Sequence, residues 1–229
     1  LHVVHAADYP DFHHAMLPML RASRLTDSRT IVIGQSVIDV DDLLPPLAQF
    51  VAGPRTDAEV QDRLESLIGE RNRRVWRALR TFAPLHHVPT GGPWSFAAPP
   101  SFVAAATKPG QAAQDESVQR LLLRYLHAFG PASAQDCAQF SFLRRPVVLA
   151  ALRALADRIE HWTGPTGVTL FDVPGAPLPA ADTAAPPRLL PMWDSILLAY
   201  SDRSRVVPAD YRPLIFRRNG DVLPTLLVD

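Results

Sequence analysis

A stretch that the sequence contains twice decides the fold: Phe50-Val51-Ala52-Gly53-Pro54-Arg55-Thr56-Asp57-Ala58-Glu59 returns as His127-Ala128-Phe129-Gly130-Pro131-Ala132-Ser133-Ala134-Gln135-Asp136. The shared pattern is Gly-Pro-x-[Thr/Ser]-x-x-[Glu/Asp]. The glycine suits the left-handed conformation that ends a helix, and the proline prevents that helix from continuing. The Thr or Ser then caps the next helix, and the acidic residue closes a capping box. Each copy therefore predicts a tight helix-turn-helix.

Strand-like segments follow both turns, so the duplication favours tandem winged-helix modules. In the first copy we expect helices at Asp41–Phe50, Thr56–Ile68 and Arg71–Phe82. A hairpin follows, in which Leu85–Val88 and Trp94–Ala97 flank Gly91-Gly92. In the second copy we expect helices at Asp115–Phe129, Ser133–Phe142 and Pro146–Asp157, and then a hairpin formed by Ile159–Trp162 and Val168–Asp172. The predicted fold class is α+β and mostly helical: tandem winged helix-turn-helix modules with short β-hairpin wings and a C-terminal β-containing tail.

The predicted domain organisation places these modules at 39–103 and 114–173. Residues 1–38 are interpreted as the remainder of an N-terminal winged-helix unit, with a strand at Leu1–His5 and a helix at Tyr9–Arg24. Residues 188–229 form the β-containing tail, and Ala104–Ala113 is a linker. Because the chain enters the first strand at once, we expect its start to be a truncation.

Composition restricts the class of protein. The 229 residues are 47% hydrophobic and 20% charged, which is typical of a globular chain. The formal net charge is zero, which argues against a generic polyanion binder but permits a local basic face. The single cysteine, Cys137, is expected to pack in the core. No signal peptide or membrane-spanning apolar run occurs, so we expect a cytoplasmic, nucleoid-associated protein.

The third helix of the first module carries the candidate recognition surface. Arg73, Arg77 and Arg80 share one face at helical spacing, and Val75, Leu79 and Phe82 share the opposite face. Arginines in such a stripe contact phosphates or guanine edges, although a solvated helix face is the alternative. The predicted DNA-binding residues are Arg73, Arg74, Arg77, Arg80, His86, His87, Arg203, Arg205, Arg217 and Arg218.

The third helix of the second module is nearly neutral outside its core stripe of Val148, Leu152 and Leu155, so this module is interpreted as mainly structural. Arg203–Arg218 is a second basic segment, for which ordinary surface charge is the alternative to DNA contact.

The sequence lacks the usual marks of enzymatic or metal chemistry. It contains no glycine-rich phosphate loop and no Gly-x-Ser-x-Gly motif. The pairs His13-His14 and His86-His87 diverge on a helix and on a strand, which is poor metal geometry. We therefore expect no metal, no cofactor and no catalytic residue within the chain.

The tail and the repeats together resemble the winged-helix DNA-binding family of the bacterial DNA glycosylases AlkZ and YcaQ. The matching stretches are Leu1-His2-Val3-Val4 with Ala7-Asp8-Tyr9-Pro10, Tyr125-Leu126-His127-Ala128-Phe129-Gly130-Pro131-Ala132, Leu189-Leu190-Pro191-Met192-Trp193-Asp194, Tyr200-Ser201-Asp202-Arg203-Ser204-Arg205 and Asn219-Gly220-Asp221 through Pro224-Thr225-Leu226-Leu227-Val228-Asp229. The tail motifs are the more specific ones.

The resemblance implies a concave surface that embraces double-stranded DNA, and excision of bulky alkylated bases or crosslinks. The catalytic signature of the family is Gln-x-Gln or Gln-x-Asp in its first winged helix. Gln35 has neither residue two positions on, so the role is not transferred to it. The resemblance thus implies the middle and rear of such a protein, inactive alone. A non-catalytic winged-helix regulator is the alternative, and a winged-helix protein used for protein contacts is a third hypothesis.

Overall fold

The structure is a computed structural model that describes residues 4–27, 29–33, 35–92, 95–96, 99–105 and 111–228. It is a mixed α and β structure with more helix than strand, as the sequence predicts. The chain divides into two compact units, Leu1–Ser117 and Val118–Asp229. The first unit contains both 1–38 and 39–103, and the second contains 188–229 with most of 114–173. The finer division into four segments therefore stays a prediction.

The described part of the first unit contains four complete helices and three short antiparallel strand pairings. Its elements are α1 (Tyr9–Ala22), β1 (Thr30–Ile33), β2 (Ser36–Asp39), α2 (Val40–Phe50), β3 (Arg55–Thr56), α3 (Asp57–Ile68), α4 (Arg73–Phe82), β4 (Leu85–Val88) and β5 (Ser101–Ala104). Strands β1 and β2 form a hairpin, while β3, β5 and β4 form a three-stranded sheet in that order. The core gathers apolar residues from all four helices with Phe102 of the sheet.

The second unit begins within a long helix, repeats the order of elements from α2 to β5 and then adds a tail. Its elements are α5 (Gln111–Phe129), β6 (Ala132–Ser133), α6 (Ala134–Ser141), α7 (Arg145–Ala154), β7 (Glu160–Thr163), β8 (Thr169–Asp172), β9 (Arg188–Leu190), α8 (Ser195–Leu198), α9 (Arg212–Ile215) and β10 (Thr225–Leu227). The sheet β6–β8–β7 has the strand order of β3–β5–β4, and β9 pairs with β10. The predicted core stripe of α7 is buried, at Val148, Leu152 and Leu155.

Both predicted capping boxes are present. Thr56 caps α3, and its backbone N–H donates to Glu59 Oε2 at 2.8 Å. Ser133 caps α6, and its N–H donates to Asp136 Oδ2 at 2.8 Å. These reciprocal bonds satisfy helix N–H groups that would otherwise lack partners. The sequence therefore located the start of α3 and α6 correctly.

The predicted role of the repeated glycines is wrong. Neither Gly53 nor Gly130 lies in the left-handed region, and α2 ends at a cap on Val51. Gly130 is required for a different reason: a Cβ there would lie 2.6 Å from the carbonyl oxygen of Leu126 and would overlap the carboxylate of Asp172. Gly53 has open space around it. The second glycine is therefore a site of close backbone approach.

The strand that pairs with β4 also differs from the prediction. The partner is β5, with Val88 opposite Ser101, whereas Ser95 and Phe96 lie in no strand, and Trp94 and Ala97 are outside the described residues. Strand β5 prevails because Phe102 is 1% exposed and packs edge-on against Trp76, with ring centroids 5.2 Å apart.

Two other predicted segments are corrected or untested. Val4 and His5 are not in a strand, and the rest of the predicted strand Leu1–His5 lies outside the described residues. In the predicted linker, Ala104 ends β5 and α5 begins at Gln111; the segment between 106 and 110 is not described.

The tail is fastened to residues 125–136 by polar contacts. Asp136, whose Oδ2 closes the capping box, accepts the N–H of Ser201 on Oδ1 at 2.8 Å. Tyr125 donates to the carbonyl of Ala199 at 2.6 Å, and Tyr200 donates to that of Phe129 at 3.0 Å. The tail also has a small core of its own at Leu197, Val207, Ile215 and Val222.

A buried histidine couples the stability of the first unit to pH. His13 lies on α1 with its Nε2 2.8 Å from the carbonyl oxygen of Phe82, and its Nδ1 has no hydrogen-bond partner among the described residues. Burial lowers the pKa of His13 below its ordinary value. The unfolded chain therefore binds a proton at this position more readily than the folded chain, and stability falls as the pH drops through the ordinary histidine range.

We expect the His13→Gln variant to lose less stability than the unmodified chain when the pH is lowered from about 7 to about 5. Glutamine retains an N–H donor for the Phe82 carbonyl but does not titrate. Urea unfolding midpoints at several pH values measure the difference. Parallel curves for the two proteins would contradict the role of His13.

Candidate nucleic-acid interface

Helix α4 presents the predicted arginine stripe to solvent. The side chain of Asn72 caps the helix by accepting the N–H of Arg74 at 2.9 Å. The core stripe is buried, with Val75 and Leu79 at 0% exposure and Phe82 at 1%. On the opposite face Arg73, Arg77 and Arg80 are exposed, so the predicted helix phase is confirmed.

The three arginines line a surface cleft of about 290 Å³. The other lining residues are Asp57 and Gln61 of α3 and Trp76 of α4. Trp76 is 4% exposed and donates its indole N–H to Asp57 Oδ1 at 2.7 Å. Gln61 donates to Asp57 Oδ2 at 2.5 Å, and Arg80 lies 3.3 Å from Asp57 Oδ1. The carboxylate of Asp57 thus holds three side chains of the cleft in position.

The arginines of this segment differ in how far their charge is neutralised. Arg71 lies near Asp62 and Glu65, at 3.7 and 3.9 Å, and Arg80 is paired with Asp57. Among the described residues, Arg73, Arg74 and Arg77 have no carboxylate within salt-bridge distance. These three guanidinium groups are the ones that a bound anion would meet unneutralised, and guanidinium matches phosphate geometry.

The two predicted histidines lie on β4, next to this helix in the chain. His86 packs on Tyr9 with ring centroids 4.4 Å apart, and His87 packs on Phe102 at 4.6 Å. Burial lowers the pKa of His87, and the positive charge of Arg80 lowers it further. At neutral pH His87 is therefore an uncharged hydrogen-bonding group near the arginines.

The predicted tail arginines belong to the second unit, and two of the four lie against aromatic rings. Arg203 lies over the ring of Phe216 at 4.3 Å. Arg205 lies over Tyr200 at 4.0 Å and donates to the carbonyl of Pro131 at 3.0 Å. Arg217 and Arg218 are exposed beside the turn at 219–221. Arg205 therefore joins the tail to Pro131, whereas the contact of Arg203 lies within the tail, and the sequence revealed neither.

Sequence reasoning also missed Asp57 and Gln61. Asp57 directly follows the helix cap Thr56, and Gln61 lies one turn later, so the spacing placed both on one face of α3. The contact between this face and Trp76 is tertiary, which left no signal in a local pattern.

The described residues offer little for other chemistry. They contain no group of three or more His, Cys, Asp or Glu side chains arranged to hold a metal ion. Burial raises the pKa of Cys137 to about 12, so this thiol is an unreactive core residue, as predicted. None of the described helices is long and apolar enough to cross a membrane.

Comparisons with known proteins point to one family. A family model described as DNA glycosylase AlkZ-like matches residues 1–229. Among solved structures, the Streptomyces sahachiroi DNA glycosylase AlkZ superimposes with a TM-score of 0.74 at 20% sequence identity. That match covers 98% of this chain and 64% of the Streptomyces chain, so this chain spans less than two thirds of that protein's length. No curated protein matches the chain.

Proposed function

Because the chain belongs to the AlkZ-like DNA glycosylase family, we propose that it is the double-stranded-DNA-binding scaffold of a glycosylase that removes bulky alkylated bases or unhooks crosslinks. The observation that carries the proposal is the exposed stripe of Arg73, Arg77 and Arg80 around one cleft of α4. We also propose that the protein acts at the nucleoid and needs no small-molecule cofactor to bind DNA.

We interpret 39–103 and 114–173 as tandem winged helices, with 1–38 as the remainder of an earlier unit and 188–229 as the tail. The repeated strand order and the two capping boxes support this interpretation. In it, α4 follows the turn after α3, which is the position of the recognition helix in helix-turn-helix proteins. The hairpins β4–β5 and β7–β8 are the wings.

This chain is proposed to bind DNA without excising a base. The sequence contains no Gln-x-Gln and no Gln-x-Asp, the motif that the family resemblance implies for catalysis. In the α4 cleft the Asp57 carboxylate accepts three hydrogen bonds from neighbouring side chains, which is the arrangement of a structural acceptor.

We expect the chain to bind duplex DNA with a log affinity that falls with log salt concentration at a slope of about −2.7, if three arginines each neutralise one phosphate. Fluorescence anisotropy of a labelled duplex over a salt series measures the slope. A gel assay on duplexes that carry bulky N-alkylpurines should show no base release. Salt-independent binding would contradict the assigned surface, and release by this chain alone would contradict the proposed absence of catalysis.

A further inference from the structure

The turn between α6 and α7 holds an aromatic residue in an unfavourable place. Phe142 is the C-terminal cap of α6 and has φ 56° and ψ 14°, in the left-handed region. A bulky L-residue adopts this conformation only at an energetic cost. Its side chain is 73% exposed, so burial does not offset that cost.

The first unit provides an internal reference for this position. The C-terminal cap of α3 is also left-handed, with φ 79°, but the residue is Gly69. Glycine occupies this conformation without strain and leaves no apolar side chain in water. In the second unit the same turn carries both a strained backbone and an exposed ring. Local features of this kind persist at sites that serve a function.

The residues that follow Phe142 anchor the backbone of this turn and give it positive charge. Leu143 is 9% exposed and its N–H donates to Ser141 Oγ at 3.3 Å, so the chain is anchored immediately after Phe142. Arg144 and Arg145 are exposed and have no salt-bridge partner among the described residues. The whole segment 137–156 contains three arginines and no acidic residue.

We propose that Phe142 stacks on a DNA base that is unpaired or displaced from the duplex, while Arg144 and Arg145 contact the flanking phosphates. An aromatic ring beside unpaired guanidinium groups matches the two chemical features of an unstacked nucleotide, its base face and its phosphate. A fully paired duplex does not present base faces except at its ends. The inference rests on the proposed DNA-binding function, and it gives the second module a role that its nearly neutral α7 did not suggest.

The test compares two labelled duplexes by anisotropy, one intact and one with a short single-stranded gap. We expect Phe142→Ala to weaken binding to the gapped duplex by about fivefold or more, and binding to the intact duplex by less than about twofold. Phe142→Trp should retain the preference for the gap, since it keeps an aromatic face. Leu178→Ala removes another exposed apolar side chain, at 62% exposure, and should change neither affinity.

Two further variants separate stacking from folding and from charge. Phe142→Gly should lose the gap preference without lowering the urea unfolding midpoint, because glycine relieves the strained backbone. The double variant Arg144→Ala/Arg145→Ala should weaken binding to both duplexes alike. If Phe142→Ala binds the gapped duplex as tightly as the unmodified chain does, the stacking role is overturned while the proposed DNA binding stands. Failure of the unmodified chain to bind either duplex would overturn both proposals.

Discussion

The triple variant Arg73→Ala/Arg77→Ala/Arg80→Ala is expected to lose most of the salt-dependent DNA affinity of the chain. If three arginines each contact a phosphate, raising the salt from about 50 to about 200 mM weakens binding by about 40-fold. The variant should lose that salt dependence. Its fold should survive because Val75, Leu79 and Phe82 hold the opposite face of α4 in the core. Anisotropy measures the affinity, and circular dichroism checks the helix content.

The single variants of the same stripe should differ in how much DNA affinity they lose. Arg80 shares its charge with Asp57 at 3.3 Å, so Arg80→Ala should weaken binding less than Arg73→Ala or Arg77→Ala. Arg71→Ala is the matched control, because Arg71 lies in the same segment but near two carboxylates. Equal losses in Arg71→Ala and Arg77→Ala would show that bulk positive charge, and not this cleft, determines affinity.

The variant Gly130→Ala is expected to destabilise the second unit by about 2–3 kcal/mol, since the new methyl group has no space. It would lie 2.6 Å from the Leu126 carbonyl oxygen, which belongs to helix backbone, and would overlap the Asp172 carboxylate. A loss of this size lowers the unfolding temperature of a domain of this length by roughly 10 °C. Thermal unfolding followed by circular dichroism measures it.

The repeat supplies the control for this experiment. Gly53 occupies the same place in the first copy and has no atom within 4 Å of an added Cβ. Gly53→Ala should therefore change stability by less than about 0.5 kcal/mol. If the two alanine variants unfold at the same temperature, Asp172 and Leu126 can move apart and the close approach at Gly130 is not a constraint.

Local chemistry explains which parts of the fold the sequence predicted. Capping boxes and helical stripes depend on residues within one or two turns, so Thr56, Ser133 and the two faces of α4 were predicted correctly. The partner of β4 was not, because it depends on the burial of Phe102 against Trp76, which are far apart in sequence. The repeated glycines were misinterpreted for a related reason: Gly130 is constrained by Asp172, a residue of another strand.

The residues of the candidate site likewise fall into those that a local pattern predicts and those that depend on tertiary packing. Periodicity located the arginines of α4, whereas the clamp formed by Asp57 requires α3 and α4 to be packed together. The contacts of a tail arginine depend on which aromatic ring the fold places beside it, as Arg203 on Phe216 and Arg205 on Tyr200 show. DNA contact by His86, His87 and the tail arginines stays a prediction.

The two oxygens of Asp136 join the tail to the start of helix α6. One oxygen satisfies the start of the helix and the other accepts the N–H of Ser201, so a tail that detaches leaves a buried carboxylate oxygen without that partner. Detachment of the tail therefore costs a hydrogen bond at the same carboxylate that caps the helix. Because Ser201 is exposed while its N–H is bonded to this carboxylate, exchange of that N–H with solvent requires the tail to detach from the start of α6.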